Sequence, residues 1–336
     1  MARISIYGAT GYTGQLVAAE ALRRGVDVVL LGRDKDALAK IPGAKETKAV
    51  GLDDISSLAA AFEGSNVVLS CVAPFSQLGS AVLEAAIQGK AHYVDISGDV
   101  NWVKRVHDEF GPKAKAAGVI LLPAMTDDGA TGDLIARLLM ARLPNIERLQ
   151  MHHAFFNLTE LSRGSLYAFA DFVKAGPLYW EGGAWHRGTN SPAGSVTYPG
   201  NDGTHNVWFV PGPEVIGIQR HISAQHISAT VNMDTEPVFA SLTGDVIQTL
   251  PLGPTVEVRS QGRFVLVADG TSAEGDKARV HVSGRDPYKV TAEVSVEVAV
   301  RLATLGTTHS GAVALSEVFD AEELLNAFDL EWGFDA

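Results

Sequence analysis

Residues 1–38 read MARISIYGATGYTGQLVAAEALRRGVDVVLLGRDKDAL, and this stretch decides the fold of the first part of the chain. Its opening, at 3–7, carries apolar residues at alternate positions and predicts a strand. Three glycines spaced three apart follow, then a helical pattern over 15–24 and a continuous apolar run at 26–31. The order strand, glycine turn, helix and buried strand predicts a βαβ unit that binds a dinucleotide.

The three glycines have separate tasks in such a turn. Gly8 allows the tight exit from the strand, Gly11 lets the backbone approach a pyrophosphate, and Gly14 lets the helix pack closely on the strand. The N-terminus of the helix adds N–H groups and the positive end of its dipole. The cofactor contacts predicted in the turn are therefore Gly8, Thr10, Gly11, Tyr12, Thr13 and Gly14.

The residues that end the second strand, Gly32, Arg33 and Asp34, select the cofactor. An NAD site places an acidic residue there to accept from the ribose 2′-hydroxyl, whereas an arginine accommodates the 2′-phosphate of NADP. Arg33 predicts NADP(H), because a guanidinium forks onto phosphate and stacks on adenine. Asp34 leaves two interpretations open: it accepts from the ribose, or it caps the helix that begins at Lys35. The cap is favoured, and with it NADP(H).

Further βα units continue the domain, with strands predicted at 66–72, 92–96 and 119–122. Open α/β sheets bind their ligands beyond the carboxyl ends of the strands. Cys71 lies inside a buried strand, which favours packing over a role as a nucleophile. Residues after two of these strands complete the predicted cofactor contacts: Ala73, Pro74, Phe75, Ser97 and Gly98.

The length of 336 residues and a change of pattern after position 130 predict two domains. The fold class is α/β: a Rossmann-type doubly wound parallel sheet over 1–130, then an α+β domain with a mostly antiparallel sheet over 131–308. A C-terminal helix within 309–336 is expected to pack back on the first domain. In the second part of the chain, strand composition falls at 147–155, 221–233, 255–259, 263–269, 277–283 and 288–291.

The stretch 176–212 is rich in glycine and proline and holds three of the five tryptophans. Because it shows no clear periodicity, it is predicted to be irregular. Two interpretations stay open: a lid that closes over the substrate and excludes water, or the interface of a homodimer. Trp180 and Trp185 are the residues on which either one would depend.

Composition and charge exclude several classes of protein. A net charge of −12 argues against nucleic acid or an anionic membrane as the main partner. A single cysteine rules out an intrachain disulfide and fits a reducing compartment. No apolar run approaches the ~20 residues that span a bilayer, and no leader pattern opens the chain. We therefore expect a cytoplasmic protein whose partner is a small-molecule substrate.

The absence of two motifs reduces the number of reaction mechanisms that fit the sequence. None of the seven tyrosines is followed by a lysine four residues on, which excludes the short-chain dehydrogenase mechanism. The adjacent His152 and His153 would point to opposite faces of a strand, so structural roles are favoured and no metal site is predicted. The candidate proton donors are Asp99, Tyr167 and Tyr288. Asp99 is equally a candidate helix N-cap, and Tyr167 a core residue.

The GATGYTG turn and the GRD after the second strand, with several later segments, resemble the saccharopine dehydrogenase-like reductases. The later segments are CVAPFSQLG at 71–79, HYVDISGD at 92–99, PAMTDDGATGDLIA at 123–136 and SGRDPY at 283–288. Within that family the chain is similar to the bacterial branch that includes trans-acting enoyl reductases. The resemblance implies an N-terminal Rossmann domain, NADP(H) as cofactor, and a second α+β domain that shapes the substrate site.

Two functions from different classes follow. The first is an NADPH-dependent oxidoreductase that transfers hydride to a C=C or C=N bond of an apolar, metabolite-sized substrate. The second is a redox sensor or regulatory protein that binds NADP(H) without turning it over. The resemblance favours the reductase, because hydride transfer needs little from the protein beyond a positioned nicotinamide and a proton source.

Overall fold

The computed structural model describes residues 2–189, 191–200, 203–232, 243–306 and 308–335. They form two compact units, each assembled from two stretches of chain. The first unit is Met1–Thr126 with Tyr288–Val313, and the second is Asp127–Pro287 with Ala314–Ala336. The first unit therefore takes up a late segment of the sequence, and the second takes up the C-terminus.

The strands and the helices are each numbered in chain order. The strands are β1 Arg3–Tyr7, β2 Asp27–Gly32, β3 Thr47–Ala49, β4 Val67–Ser70, β5 His92–Asp95, β6 Ile120–Leu122, β7 Ile146–Phe156, β8 Leu178–Glu181, β9 Ala184–Arg187, β10 Pro192–Tyr198, β11 Gly203–Val210, β12 His226–Val231, β13 Arg263–Ser272, β14 Lys277–Arg285, β15 Gly311–Ala312 and β16 Glu331–Phe334. The helices are α1 Tyr12–Arg23, α2 Lys35–Leu38, α3 Ile55–Ala61, α4 Phe75–Gln88, α5 Val100–Arg105, α6 Gly111–Ala117, α7 Gly129–Arg142, α8 Arg163–Ala175, α9 Glu214–His221, α10 Gly244–Thr249, α11 Val256–Arg259, α12 Pro287–Thr304 and α13 Ala321–Leu325.

The first unit is built on a parallel sheet with the strand order β15-β6-β5-β4-β1-β2-β3. Every pair in it is parallel. All four residues of β4 are buried, as are all but the first residues of β1 and β2. Continuous apolar runs form such strands because helices cover both faces of the sheet. The predicted doubly wound sheet is confirmed.

The second unit contains a sheet with the order β10-β11-β12-β7-β13-β14-β16, to which the β8–β9 hairpin is joined through β12. The pair β7–β12 is parallel, and the other pairs are antiparallel. The long strands β7 and β13 pair over most of their length and carry the unit's central core. The predicted α+β domain with a mostly antiparallel sheet is confirmed.

Two strand predictions in the second part of the chain were wrong, and a third was too long. Residues 256–259 form α11, capped by the Thr255 hydroxyl, which accepts from the N–H of Val258. Residues 288–291 are the first turn of α12, so a β-branched composition there was misleading. The strand expected over 221–233 is reduced to β12, since His221 ends α9, while position 233 lies outside the described residues. At 256–259 and 288–291 the context in the fold outweighed the local strand propensity.

Within 176–212, the described residues lie mostly in strands, which corrects the irregular loop that we expected. The stretch contains two hairpins, β8–β9 and β10–β11. Gly182 and Gly183 have φ of +58° and +89° and make the first hairpin turn, so these glycines punctuate strands and do not mark a loop. Trp180 and Trp185 are cross-strand partners, with ring centroids 5.3 Å apart. The two rings pack on each other within the hairpin, and the lid and the homodimer interface both stay predictions.

The end of the chain is divided differently from the predicted domains. The strand β15 pairs with β6 of the first unit, and α12 is tied to α1 by an ion pair of 2.5 Å between Arg24 and Glu297. Beyond Val313, the helix α13 packs on α7, and β16 pairs with β14, so the C-terminus lies with the second unit. The C-terminal helix within 309–336 was expected to pack back on the first domain, but α13 packs on α7 of the second unit, and only β15 joins the first unit.

Among the described residues no helix is both long and apolar enough to cross a membrane.

Candidate functional site

The glycine turn is held between the ends of β2 and β4. The N–H groups of Gly8 and Ala9 donate to the carbonyl of Leu31 at 2.9 and 3.2 Å. Gly8 has φ of +86°, and a Cβ there would lie 2.9 Å from the backbone of Cys71. A Cβ on Gly14 would lie 2.1 Å from the carbonyl oxygen of Gly8. Both positions therefore require glycine, and Cys71 is a packing residue at the floor of the turn.

The helix that follows the turn presents an N-terminus suited to an anion. Helix α1 begins at Tyr12 with Gly11 as its N-cap, no side chain caps it, and its first turn has no acidic residue. The side-chain amide of Gln15 donates to the Thr10 carbonyl at 2.9 Å and fixes the loop from behind. The N–H groups of the first turn and the helix dipole can thus serve a phosphate.

At the end of β2, the structure gives Asp34 the helix-capping role that was one of its two interpretations. Asp34 is the N-cap of α2, and its carboxylate accepts from the N–H groups of Asp36 at 2.9 Å and Ala37 at 3.0 Å. Arg33 is exposed and makes no hydrogen bond or ion pair within the described part of the chain. The carboxylate is therefore engaged by its own helix, and the guanidinium is available to a 2′-phosphate.

The loop after β4 contains the predicted cofactor contacts Ala73, Pro74 and Phe75, and the ring of Phe75 faces the core. The Ala73–Pro74 bond is cis, and Pro74 is the N-cap of α4. Phe75 is buried, and its ring centroid lies 6.2 Å from that of Trp102. The side chain of Phe75 thus belongs to the hydrophobic core of the first unit, so only its backbone remains as a candidate cofactor contact.

After β5 the chain turns through Ser97, Gly98 and Asp99. The Ser97 hydroxyl is buried and accepts from the N–H of Asp99 at 3.1 Å, and Gly98 is exposed. Asp99 caps α5, accepting from the N–H groups of Asn101 at 2.9 Å and Trp102 at 3.3 Å. The structure therefore gives Asp99 the capping role that was one of its two interpretations, and its role as proton donor stays a prediction.

Asp95 at the end of β5 is a buried carboxylate that sequence reasoning did not select. It accepts from the N–H groups of Ser97 at 3.0 Å and Ala124 at 2.9 Å, and from the indole N–H of Trp102 at 2.7 Å. Burial raises the pKa of this carboxyl, although all three donors favour its charged form. Asp95 thus joins the loops after β5 and β6 to α5. The one available signal was a charged residue inside the apolar strand HYVDI.

We expect Asp95→Asn to lower the free energy of unfolding by about 1–3 kcal/mol, because an amide NH₂ would face the indole N–H and leave a buried donor unsatisfied. Trp102→Phe removes that donor and is the matched variant. In the double variant the loss of stability should be smaller than the sum of the two single losses, because the amide NH₂ no longer faces an indole N–H. Denaturant unfolding of the four proteins measures this, and strict additivity would contradict the assigned contact.

The remaining proton-donor candidates lie in different units. Tyr288 opens α12 in the first unit, although it was expected in the second domain, and its ring meets that of Tyr12 edge to face at 5.1 Å. It therefore packs against a residue of the glycine turn. Tyr167 lies in the second unit, where its hydroxyl donates to the Gly244 carbonyl at 3.3 Å beside a small cluster around Ile247. That placement agrees with the interpretation of Tyr167 as a packing residue.

The second unit holds a buried acid–base cluster of Glu214, His153 and Asp128. The Nε2 atom of His153 lies 2.8 Å from Oε1 of Glu214, and its Nδ1 atom lies 3.9 Å from Oδ2 of Asp128. The side chains of Glu214 and His153 are 0% and 5% exposed, and that of Asp128 is 22% exposed. Burial opposes the change, but Glu214, Asp128 and Asp127 raise the pKa of His153. Sequence reasoning gave His153 a structural role and did not select either carboxylate.

A second histidine pair, Asp133 with His221, is structural. Nε2 of His221 lies 2.7 Å from Oδ1 of Asp133 and 3.1 Å from the Ser316 hydroxyl. A nucleophilic triad needs its acid and its serine on different ring nitrogens, so these contacts do not form one. Oδ2 of Asp133 accepts from the N–H of Ser316 at 2.8 Å, which ties the C-terminal segment to α7. Among the described side chains, no group of His, Cys, Asp or Glu is arranged to hold a metal ion.

Comparison with known sequences finds a family match within the first unit. Residues 4–122 match the family model described as saccharopine dehydrogenase NADP binding domain. The saccharopine dehydrogenase-like oxidoreductase of Homo sapiens is 27% identical over 150 residues, which are 38% of this chain and 35% of that protein. The trans-acting enoyl reductase of Mycobacterium leprae (strain TN) is 27% identical over 143 residues, 39% of this chain and 34% of that protein. The matches thus span about a third of these relatives.

Comparison with solved structures extends the likeness to the whole chain, at the level of fold. The apo saccharopine dehydrogenase (L-Glu forming) of Saccharomyces cerevisiae covers 100% of both chains with a TM-score of 0.63 and 14% identity. Such low identity shows a shared fold and does not carry over a reaction. The second unit therefore has a known architecture, and its chemistry must be argued from its own side chains.

Proposed function

We propose that the chain, whose residues 4–122 match the saccharopine dehydrogenase NADP binding domain, is an NADPH-dependent reductase. The proposed reaction transfers hydride to a C=C or C=N bond of an apolar, metabolite-sized substrate. NADP(H) is the cofactor that the family's domain binds. The enoyl reductase and the oxidoreductase among the relatives support a reduction. A cytoplasmic location and a homodimer remain predictions from the sequence.

The observation that carries this proposal is the pairing of the glycine turn with an unengaged Arg33. NADPH, when bound, supplies the hydride. The first turn of α1 would hold the pyrophosphate, because Gly11 has no side chain in front of the N–H groups. Arg33 would hold the 2′-phosphate, since Asp34 is occupied as a cap. The loop after β5, with Ser97 and Gly98, would border the nicotinamide, as ligands of open sheets lie beyond the strand ends.

The function is tested by mixing the full chain with NADPH and two panels of substrates, α,β-unsaturated acyl thioesters and cyclic or acyclic imines. Consumption of NADPH that depends on one panel, with formation of the reduced product, supports the proposal and selects the bond type. Tight NADPH binding without turnover on either panel contradicts it and supports the sensor. Deuterium from NADPH that is stereospecifically deuterated at nicotinamide C4 should appear on the reduced carbon of the product. This result separates enzymatic hydride transfer from background oxidation of NADPH.

We expect Arg33→Ala to weaken NADPH binding by about 1.5–3 kcal/mol, the range for a hydrogen bond to a charged group. NADH affinity should be unchanged, because NADH has no 2′-phosphate. Lys40→Ala, an exposed cation just beyond the far end of α2, is the matched control and should leave both affinities unchanged. Calorimetry with both cofactors measures the effect. Equal loss for NADPH and NADH would show that Arg33 does not read the 2′-phosphate.

A further inference from the structure

Asp95 ties two neighbouring strand ends of the first unit together. Its Oδ1 atom accepts from the N–H groups of Ser97 at 3.0 Å and Ala124 at 2.9 Å, and its own carbonyl accepts from the N–H of Met125 at 2.7 Å. Ser97 belongs to the loop after β5, whereas Ala124 and Met125 belong to the loop after β6. One residue, itself 0% exposed, therefore fixes the backbone of both loops.

Ala124 is held in a conformation that alanine rarely adopts. Its φ is +61°, in the left-handed region, where a Cβ comes too close to the following carbonyl oxygen. The other described non-glycine residues with positive φ each have a local reason for it. Lys90 follows the end of α4, and Asn157 and Asp286 are of the types that enter this region most readily. Ala124 stands at no helix end and has no polar side chain, so its conformation depends on its surroundings, among them the bond from its N–H to Asp95.

The two loops lie at the end of the sheet that is remote from Arg33. The strand order places β1 and β4 between β5 and β2, the strand that Arg33 follows. Three steps of ~4.8 Å put the ends of β5 and β2 roughly 14 Å apart. A dinucleotide with its 2′-phosphate on Arg33 and its pyrophosphate on the glycine turn after β1 would therefore extend its nicotinamide toward the loops after β5 and β6. Gly98 in the loop after β5 is exposed, and a Cβ there would meet no atom within 4 Å, so this loop offers an open surface.

We propose that Asp95 is a positioning residue for the nicotinamide half of NADP(H), because it holds Ser97 and Ala124 in the loops that border that half. This inference deepens the proposed function and rests on the cofactor placement in it. Asp95 is fully buried, so it acts through the backbone of the two loops and does not touch the cofactor. Without its carboxylate, the N–H groups of Ser97 and Ala124 lose their acceptor, and Ala124 relaxes from its left-handed conformation. The nicotinamide half is then held less firmly, while the adenosine half keeps its contacts.

The positioning role is tested by comparing two ligands on the full chain. NADPH has both halves of the cofactor, whereas adenosine 2′,5′-bisphosphate has the adenine, the ribose and the 2′-phosphate but no nicotinamide. We expect Asp95→Ala to weaken NADPH binding about tenfold, the equivalent of one hydrogen bond, and to leave the affinity for the bisphosphate unchanged. Calorimetry measures both affinities. A loss of stability alone would reduce the folded fraction for both ligands alike, so only a positioning role separates them.

Trp102→Phe is the matched control. The indole of Trp102 donates to Oδ2 of Asp95 at 2.7 Å, so this variant also removes a bond of the same carboxylate, but it leaves the two loop bonds at Oδ1 in place. It should destabilise the first unit and keep the wild-type ratio of the two affinities. Asp95→Asn keeps one oxygen for the two N–H groups, so it should give an intermediate ratio, and it decides the question if Asp95→Ala does not fold.

A double variant tests the link through Ala124. Glycine adopts a positive φ without the clash of a Cβ, so adding Ala124→Gly to Asp95→Ala should recover part of the NADPH affinity. The fluorescence of bound NADPH is an independent readout, because it comes from the nicotinamide ring. Its enhancement should fall in Asp95→Ala and return in part in the double variant. No recovery by either measure would show that the carboxylate does not act through the conformation of Ala124.

The outcomes separate this inference from the proposed reaction. If Asp95→Ala loses affinity for both ligands alike, or for neither, Asp95 is a structural residue and the positioning role is refuted. If the NADPH affinity falls alone but the wild type reduces neither panel of substrates, the positioning role is confirmed and the reductase is refuted in favour of the sensor. If the wild type binds neither ligand, the cofactor placement fails and this inference fails with it. Where the wild type turns over, kcat of Asp95→Ala at saturating NADPH should fall by about 10²-fold, the cost of a misplacement of about 1 Å.

Discussion

Gly14→Ala is expected to destabilise the first unit, whereas Gly11→Val is expected to fold and to lose NADPH. A Cβ on Gly14 would lie 2.1 Å from the carbonyl oxygen of Gly8. That carbonyl cannot retreat, because the Gly8 N–H is bonded to Leu31 and the residue stands close against the backbone of Cys71. Overpacking of this kind costs about 1–3 kcal/mol, and occasionally more. Denaturant unfolding should show this loss for Gly14→Ala.

At Gly11 the expected effect is on binding. A Cβ there would lie 3.3 Å from the Gly8 carbonyl oxygen, a close but tolerable contact, and Gly11 has φ of −70°, which any residue adopts. The valine methyls would stand before the first N–H groups of α1, where the pyrophosphate approaches. We expect a folded protein with no measurable NADPH binding. NADPH fluorescence measures it, and retained enhancement would place the nucleotide elsewhere.

The first unit could be predicted from sequence because its signals are local. A strand, turn, helix and strand follow one another within 38 residues, and buried parallel strands appear as unbroken apolar runs. In the second unit the same reasoning failed at 176–212, where residues that form two hairpins were taken for an irregular loop. Strands there are short and half exposed, so their alternation is weak. Residues 256–259 show the converse error, since β-branched residues were folded into a capped helical turn.

The candidate functional residues also fall into two groups, those that the sequence allowed us to select and those that it did not. The glycine turn and Arg33 were predictable because their meaning comes from adjacent elements. The contacts of Asp95 reach Ala124, 29 positions on, and those of His153 reach Glu214, 61 positions on. No local pattern reports such pairings, which arise only when β5 meets β6 or when β7 meets the start of α9. A buried charge is costly without a partner, so the partner must be found in the fold.

Glu214→Ala is expected to lower the free energy of unfolding by about 3–5 kcal/mol, because removing one member of a buried ion pair leaves the other uncompensated. The loss should depend on pH. The pKa of folded His153 is raised, so the pair contributes stability that is fully present below the pKa of unfolded histidine, near 6.5. That contribution disappears as pH rises through the folded pKa, when the ring becomes neutral. The gap between wild type and Glu214→Ala should thus be widest at about pH 6 and narrower at about pH 9.

Glu214→Gln separates charge from shape in the same measurement. Its amide oxygen still accepts from Nε2–H of a neutral His153, so it should recover part of the loss while abolishing the pH dependence that the ion pair confers. Denaturant unfolding of the three proteins at the two pH values gives the six free energies needed. A deficit in Glu214→Ala that is identical at both would mean that His153 is neutral in the folded protein. The pair would then be an ordinary hydrogen bond between a neutral imidazole and a carboxylate.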